Sequence, residues 1–375
     1  MGNIQMVDLK GQYLKIKSEI DEAIAACINA TSFINGPEVK RFSEALQHYL
    51  GVEKVIPCAN GTDALQIAMM ALDLKPGDEV IVPAFTYVAT AEVIGLLGLV
   101  PVMVDVDPET FNITADRIEQ AITSRTKAIV PVHLFGQCAD MEPIMKLAEK
   151  HGLHVIEDTA QAIGARYTAG DGSKVMAGAI GHIGCTSFFP SKNLGCYGDG
   201  GAVYTNNKEL GERMQMIANH GQVKKYVHKY IGINSRLDSL QAAILNIKLA
   251  HLDEYAAARE WAATYYDKQL GDLPGITVPL RVTNSTHVFH QYTLRIGEGK
   301  RDQLKAFLEE KGIPAMIYYP VPLNEQEAYK SIGKVSGNLG NTAALCREVL
   351  SLPIHTEMTE EQLDFIIDNI KEFIN

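Results

Sequence analysis

The chain has no long run of basic residues, no paired-cysteine motif and no apolar stretch long enough to cross a membrane. Each absence closes a class of function. A formal net charge of −11 leaves no basic surface to neutralise phosphates, so no nucleic-acid partner is expected. Any anion must then be bound locally. Cys27, Cys58, Cys138, Cys185, Cys196 and Cys346 lack C-x-x-C spacing and sit mostly in apolar runs. That is the pattern of reduced thiols, not of a disulfide framework or a zinc site. The start MGNIQMVDLK has no signal-peptide apolar core, and Met6 breaks the myristoylation pattern. The expectation is a cytoplasmic protein with no membrane partner. Repeats and low-complexity segments are missing too. No G-x-G-x-x-G follows the first strand pattern, which argues against a nicotinamide-dependent hydride transfer.

What is present is alternation. After an arm over residues 1–12, helical spacing runs from Tyr13 to Ala30 and again from Glu38 to Leu50, ending at Gly51. Short apolar strands then alternate with helices: Val55–Cys58, Glu79–Pro83, Val102–Val106, Ala128–Val132, Leu153–Asp158 and Cys185–Phe189, with a return strand over Ala202–Thr205. Strands this continuously apolar belong to a parallel sheet covered by helices on both faces. A long helix from Leu237 towards Tyr265 leads into a second region, where Gln291–Ile296, Gln303–Lys311, Ala315–Tyr318 and Glu360–Phe373 read as an α+β cap. The expected division is a large domain over 13–249 and a small one over 250–375.

Ligands of such sheets bind outside the carboxyl ends of the strands, so the polar residues placed there matter most. Lys192 follows the strand-ending Pro190 and precedes a loop rich in glycine (Gly195, Gly198, Gly200, Gly201). Desolvation at such a place lowers an ammonium's pKa, as a Schiff-base lysine needs. A solvated loop lysine is the ordinary alternative. Past the first strand, Asn60-Gly61-Thr62 opens a helix whose N-terminus favours a phosphate, or merely caps the helix. Phe85-Thr86-Tyr87 can cover a flat ring or pack in a core. Asp158 needs a cationic or hydrogen-bonding partner, and a pyridinium nitrogen or a following turn would serve. Ser187 could add a hydroxyl. Taken together, a phosphate cradle, an aromatic lid, a carboxylate and a lysine on one sheet edge are what a pyridoxal phosphate site requires.

ANGTDAL (59–65), PAFTYVAT (83–90), EDTAQAIGA (157–165), FFPSKNLGCYGDGGA (188–202) and GINSRLDSLQAAIL (232–245) resemble, in order and spacing, the nucleotide-sugar aminotransferases of the DegT/DnrJ/EryC1/StrS family. The resemblance implies an α/β, fold-type I pyridoxal phosphate enzyme. Its sheet would be mostly parallel and seven-stranded, sandwiched by helices, with a smaller α+β C-terminal domain. It also implies a homodimer with shared active sites. Carried over, Lys192 is similar to the Schiff-base lysine and proton shuttle, Asp158 to the pyridinium partner and Gln161 to the glutamine beside the cofactor hydroxyl. Tyr87 falls where an aromatic stacks on the ring; Gly61, Thr62 and Ser187 match phosphate contacts. Asn234 corresponds to a phosphate ligand reaching in from the neighbouring subunit. Glutamate would be the amine donor, and pyridoxamine phosphate the form between half-reactions. Histidine at the lysine position marks the sugar dehydratase branch, and this chain has lysine.

HGQVKKYVHKYIGINSRLD (220–238) resembles the branch that aminates 3-keto sugars, and GCYGDGGA the enzymes acting on UDP-3-keto-N-acetylglucosaminuronate for O-antigen. Arg236 would there face the sugar carboxylate, though a structural ion pair with Asp238 or another acid is equally open. His228, Tyr318 and Tyr319 are further substrate-side candidates. Asn324 stands where many relatives have histidine, so no contact is assigned to it. Enzymes acting on dTDP-3-keto-6-deoxyhexoses share N-S-R-L-D, and a non-catalytic regulatory homologue is the alternative of another class. His287 and His290 lack a third ligand at zinc-like spacing, so no metal is expected.

Overall fold

The computed structural model describes residues 4–374. Eight strands, numbered here in chain order, build its large sheet: β1 Lys54–Cys58, β2 Glu79–Pro83, β3 Val100–Val104, β4 Thr126–Ile129, β5 His154–Asp158, β6 Ile183–Ser187, β7 Gly201–Thr205 and β8 Lys334–Val335. Their order across the sheet is β1-β7-β6-β5-β4-β2-β3-β8. Only β7 runs against the rest, pairing antiparallel with β1 and β6. Cys58 and Ser187 both pair with Gly201, and Asp158 pairs with Cys185. The carboxyl ends of β1, β5 and β6 and the start of β7 therefore share one edge, the edge on which Lys192 was expected.

Helices cover both faces. Helix Gly61–Ala71 is buried almost all round, through Ala64, Leu65, Ile67, Ala68 and Met69, because it lies in the core shared by β2, β5, β6 and β7. Helix Pro37–Leu50 starts on a proline at its first turn and stops at Gly51 in the left-handed region, φ 67°. Its Phe42, Leu46 and Leu50 face the other side of the sheet, each burial stabilising by about 1.5–3 kcal/mol. A second core joins helices Leu252–Leu270, Arg301–Glu310 and Glu360–Ile374 to an antiparallel sheet of Ile276–Thr277, Tyr292–Ile296 and Val349–Leu352. Phe85, Phe111, Phe135, Leu345 and Val349, with Tyr318 and Tyr319 packed against them, bridge the two bodies.

Several local expectations change. Of the arm over 1–12, residues 1–3 lie outside the described residues, and Leu9–Lys15 is a helix whose Gly11 amide is capped by Asp8 at 2.8 Å. The next helix starts at Lys17, because Ile16 leaves helical geometry at φ −116°, ψ 20°. The helix expected from Leu237 towards Tyr265 is two, Ser239–Ala250 and Leu252–Leu270, broken at His251. Ala315–Tyr318 makes only an isolated bridge, Met316 to Ser351. The sheet has one strand more than the seven expected. β8 is two residues long, and Lys334 fastens it to the buried Glu79 by an ion pair of 2.7 Å.

Gly184 in β6 leaves room for Tyr204: a β-carbon there would lie 2.2 Å from the Tyr204 ring. The Tyr204 hydroxyl in turn shares a 2.7 Å hydrogen bond with Thr159, the residue after Asp158. Gly184→Ala is expected to destabilise by about 1–3 kcal/mol through overpacking, read as a lower urea midpoint. An unchanged midpoint would contradict this packing.

Candidate active site

β5 ends in two successive buried carboxylates on opposite faces. Glu157 accepts from the amides of Gly178 (2.9 Å), Ile180 (2.8 Å) and Gly181, and from His133 Nε2 at 2.8 Å. His133 Nδ1 accepts the Ala139 amide, so its Nε2 carries the proton given to Glu157. Four donors fill that carboxylate. Asp158 is different. One oxygen accepts the Ala160 amide and the other the Thr90 hydroxyl, each at 3.0 Å, which leaves acceptor capacity free. Burial raises the Asp158 carboxyl above the usual carboxylate range, opposed by those two hydrogen bonds and by the charge of Lys192.

Lys192 lies in the turn that leaves β6. The Phe188 amide bonds to the Gly200 carbonyl at 2.7 Å and the Cys196 amide to the Phe188 carbonyl at 2.8 Å, folding residues 188–200 back on themselves. Its neighbour Asn193 is buried and donates to the Val288 carbonyl at 2.8 Å. Lys192 itself is half-buried and forms no ion pair among the described residues. Desolvation lowers its ammonium to about 8, with Asp158 pulling the other way.

Beside it, Asn60 caps helix Gly61–Ala71 by accepting the Asp63 amide at 2.8 Å. A β-carbon on Gly61 would come 2.7 Å from that of Ser187, and one on Gly201 would come 2.4 Å from the Asn60 carbonyl group. Only glycines allow this approach. Gly61, Thr62 and Ser187 are thereby gathered at a helix N-terminus, a place suited to phosphate. On the far rim, Gln161 accepts the Phe135 amide (2.8 Å) and donates to the Tyr319 hydroxyl (3.0 Å). The Tyr319 ring lies 6.3 Å from that of the exposed Tyr87 and 6.0 Å from that of Tyr318. Thr86 Oγ1, Asn193 Oδ1, His290 Nδ1 and Asn324 Oδ1 are buried without a protein partner. Sequence reading missed Thr90, His133 and Asn193, which nothing in the strand periodicity distinguishes, and it considered Thr86, His290 and Asn324 without placing an unpartnered polar atom there.

A model of the DegT/DnrJ/EryC1/StrS aminotransferase family matches residues 14–371. The chain belongs to that family. It is 47% identical over 375 residues to the pleiotropic regulatory protein of Geobacillus stearothermophilus, covering 99% of this chain and 98% of that one. It is 46% identical over 363 residues to the UDP-2-acetamido-2-deoxy-3-oxo-D-glucuronate aminotransferase of Pseudomonas aeruginosa, covering 97% and 98%. Among solved structures, S. venezuelae DesV in complex with a ketimine intermediate superposes with a TM-score of 0.95 at 39% identity, covering 100% of this chain and 99% of that one.

Three candidates of this aminotransferase chain stay outside the cluster. His228 is exposed on the hairpin Gln222–Lys224/Val227–His228, bonded through Nδ1 to the His220 carbonyl at 2.8 Å. Asn234 is exposed and bridges Asn219, while the intervening Ser235 accepts the Ala59 amide at 3.0 Å. Arg236 lines a cavity of about 410 Å³ along helix Pro37–Leu50 with Lys40, Glu44, Gln47 and Lys54, and forms no ion pair with Asp238, Glu44 or any other acid among the described residues. A cavity of about 790 Å³ at the opposite strand ends, lined by His154, His182 and Arg213, holds none of the candidates.

The amine of Lys192 gives a pH test. A lysine held below its ordinary value binds fewer protons folded than unfolded, so its contribution to stability rises with pH above about 8. Amine-reactive labelling of cofactor-free protein, read by peptide mass, is expected to reach half its maximal rate at Lys192 near pH 8. Surface lysines should still be mostly protonated there. Asp158→Asn removes the charge that raises Lys192 and should move that midpoint lower. A midpoint at the ordinary lysine value would refute the desolvation account.

Proposed function

We propose that this chain moves the amino group of glutamate to a nucleotide-linked 3-keto sugar, with pyridoxal 5'-phosphate held on Lys192. The best-supported acceptor is UDP-2-acetamido-2-deoxy-3-keto-glucuronate, an intermediate for O-antigen and other cell-surface polysaccharide. The observation that carries the reading is the unfilled acceptor capacity of Asp158 on the same sheet edge as an unpaired, desolvated lysine. When bound, the cofactor supplies an electron sink for the carbanion formed at the donor's α-carbon. The chain supplies the rest. Asp158 would accept a hydrogen bond from the protonated ring nitrogen, its charge keeping that nitrogen cationic; Gly61, Thr62 and Ser187 would hold the phosphate.

Tyr87 would cover a ring face, and Gln161 would stand at the ring hydroxyl. Lys192, its ammonium lowered to about 8 by burial, would serve as the base and acid that moves the donor's α-proton. Asn234 and Arg236 reach the site of a second copy, which makes a cytoplasmic homodimer the working unit. The absence of an ion pair at Arg236 favours a guanidinium kept free for a carboxylate over a structural one. His228, Tyr318 and Tyr319 would line the sugar side.

A second reading, a regulatory homologue retaining the fold, has the name of the Geobacillus relative in its favour. The complete set of Lys192, Asp158 and phosphate-edge residues speaks against it. Incubating the purified protein with glutamate and a panel of keto-sugar nucleotides, read by the mass of the amino sugar, separates the readings. The uronate should be the substrate turned over. Turnover of dTDP-3-keto-6-deoxyhexose alone would reverse the acceptor, and no turnover with any of them would favour the regulator. Arg236→Ala is expected to lower kcat/KM on the uronate by about 10- to 100-fold, the worth of a charged hydrogen bond, while sparing a neutral keto sugar. Equal losses on both would remove the carboxylate role.

A further inference from the structure

Lys248 occupies a position that a hydrophobic side chain would normally fill. It lies on helix Ser239–Ala250, 1% exposed, with no carboxylate in ion-pair range among the described residues. Its Nζ donates to the Gly195 carbonyl at 2.6 Å and lies 5.2 Å from the centre of the Tyr197 ring. Burial lowers its ammonium to about 8. An ammonium buried without a counter-ion is a poor device for stability, since an apolar residue of similar volume would fill the same space without the desolvation cost. What it grips is more informative than what it costs.

Gly195 is three residues past Lys192, in a loop with no helix or strand of its own. The same helix takes a second hold there: Gln241 accepts the Tyr197 amide at 2.8 Å and donates to the Tyr197 carbonyl at 3.4 Å. On the other flank, Asn193 is tied to Val288. Gly195 is pressed so closely against Pro190 that a β-carbon would lie 2.3 Å from its carbonyl oxygen. The loop is thus squeezed between Pro190 and the end of one long buried side chain.

We propose that Lys248 is a positioning residue for Lys192: its buried ammonium holds the Gly195 carbonyl and so fixes the path of the loop that presents the cofactor-binding amine. This rests on the reading of Lys192 given above. Lys248→Met fills the same volume but cannot donate a hydrogen bond, whereas Lys248→Gln keeps an N–H donor. In cofactor-free protein, hydrogen exchange of the 193–198 amides is expected to speed up roughly tenfold or more in the Met variant, with the melting temperature unchanged or higher. In the loaded enzyme kcat should fall by roughly tenfold or more with little change in the KM for glutamate, and the Gln variant should recover part of both effects.

Unchanged loop exchange in the Met variant overturns the proposal. So does equal behaviour of the Met and Gln variants, or failure of both to fold, which would make Lys248 structural only. A borohydride-stable pyridoxyl group found on a lysine other than Lys192 in the unaltered enzyme would instead overturn the reading of Lys192. Because the exchange measurement needs no cofactor, the two failures remain separable.

Discussion

An amine and a carboxylate are drawn out of water at one sheet edge without neutralising each other. Asp158 and Lys192 feel each other's charge, yet they form no ion pair. Had they paired, the lysine would be locked as an ammonium and the carboxylate would be filled. Their separation leaves one group able to lose its proton and the other able to accept a donor. A planar ligand with a cationic nitrogen at one end and a carbonyl carbon at the other would find a partner for each end on this edge.

The surrounding structure enforces this separation. β5 fixes Asp158, and its hydrogen bonds from Ala160 and Thr90 hold both oxygens in place. Behind it, the saturated Glu157–His133 network pins the strand end to the turn at Gly178–Gly181. The 188–200 loop is held independently by contacts from Val288 and from the helix Ser239–Ala250. The Gly61–Ser187 and Gly201–Asn60 contacts bring a third element, a helix N-terminus, against the same edge. Buried orphaned atoms at Thr86, Asn193, His290 and Asn324 mark the same region as one with polar capacity left over.

Much of this was legible in the sequence. Continuously apolar strands separated by helical periods gave away the parallel sheet, and polar residues just past each strand gave away its working edge. What the sequence hid is tertiary. The two residues of β8 carry no pattern; they join the sheet by pairing with β3 and by the Lys334–Glu79 ion pair. Strand β3 runs over Val100–Val104, two residues earlier than the Val102–Val106 expected, and β8 pairs only with Val102 and Met103, so Pro101 meets no partner on that side. Lys248 has no distinguishing sequence pattern; the glycine-rich loop, whose Gly195 carbonyl it bonds, lies over it in the folded chain, where it is buried. Asn234, Arg236 and His228 fall outside the cluster in a single chain.

The most direct measurement is to saturate the protein with pyridoxal phosphate, reduce it with borohydride and map the modified peptide by mass spectrometry. The account predicts a single pyridoxyl group on Lys192, with Asp158→Asn still labelled there. A group on another lysine, or none at all, would contradict it.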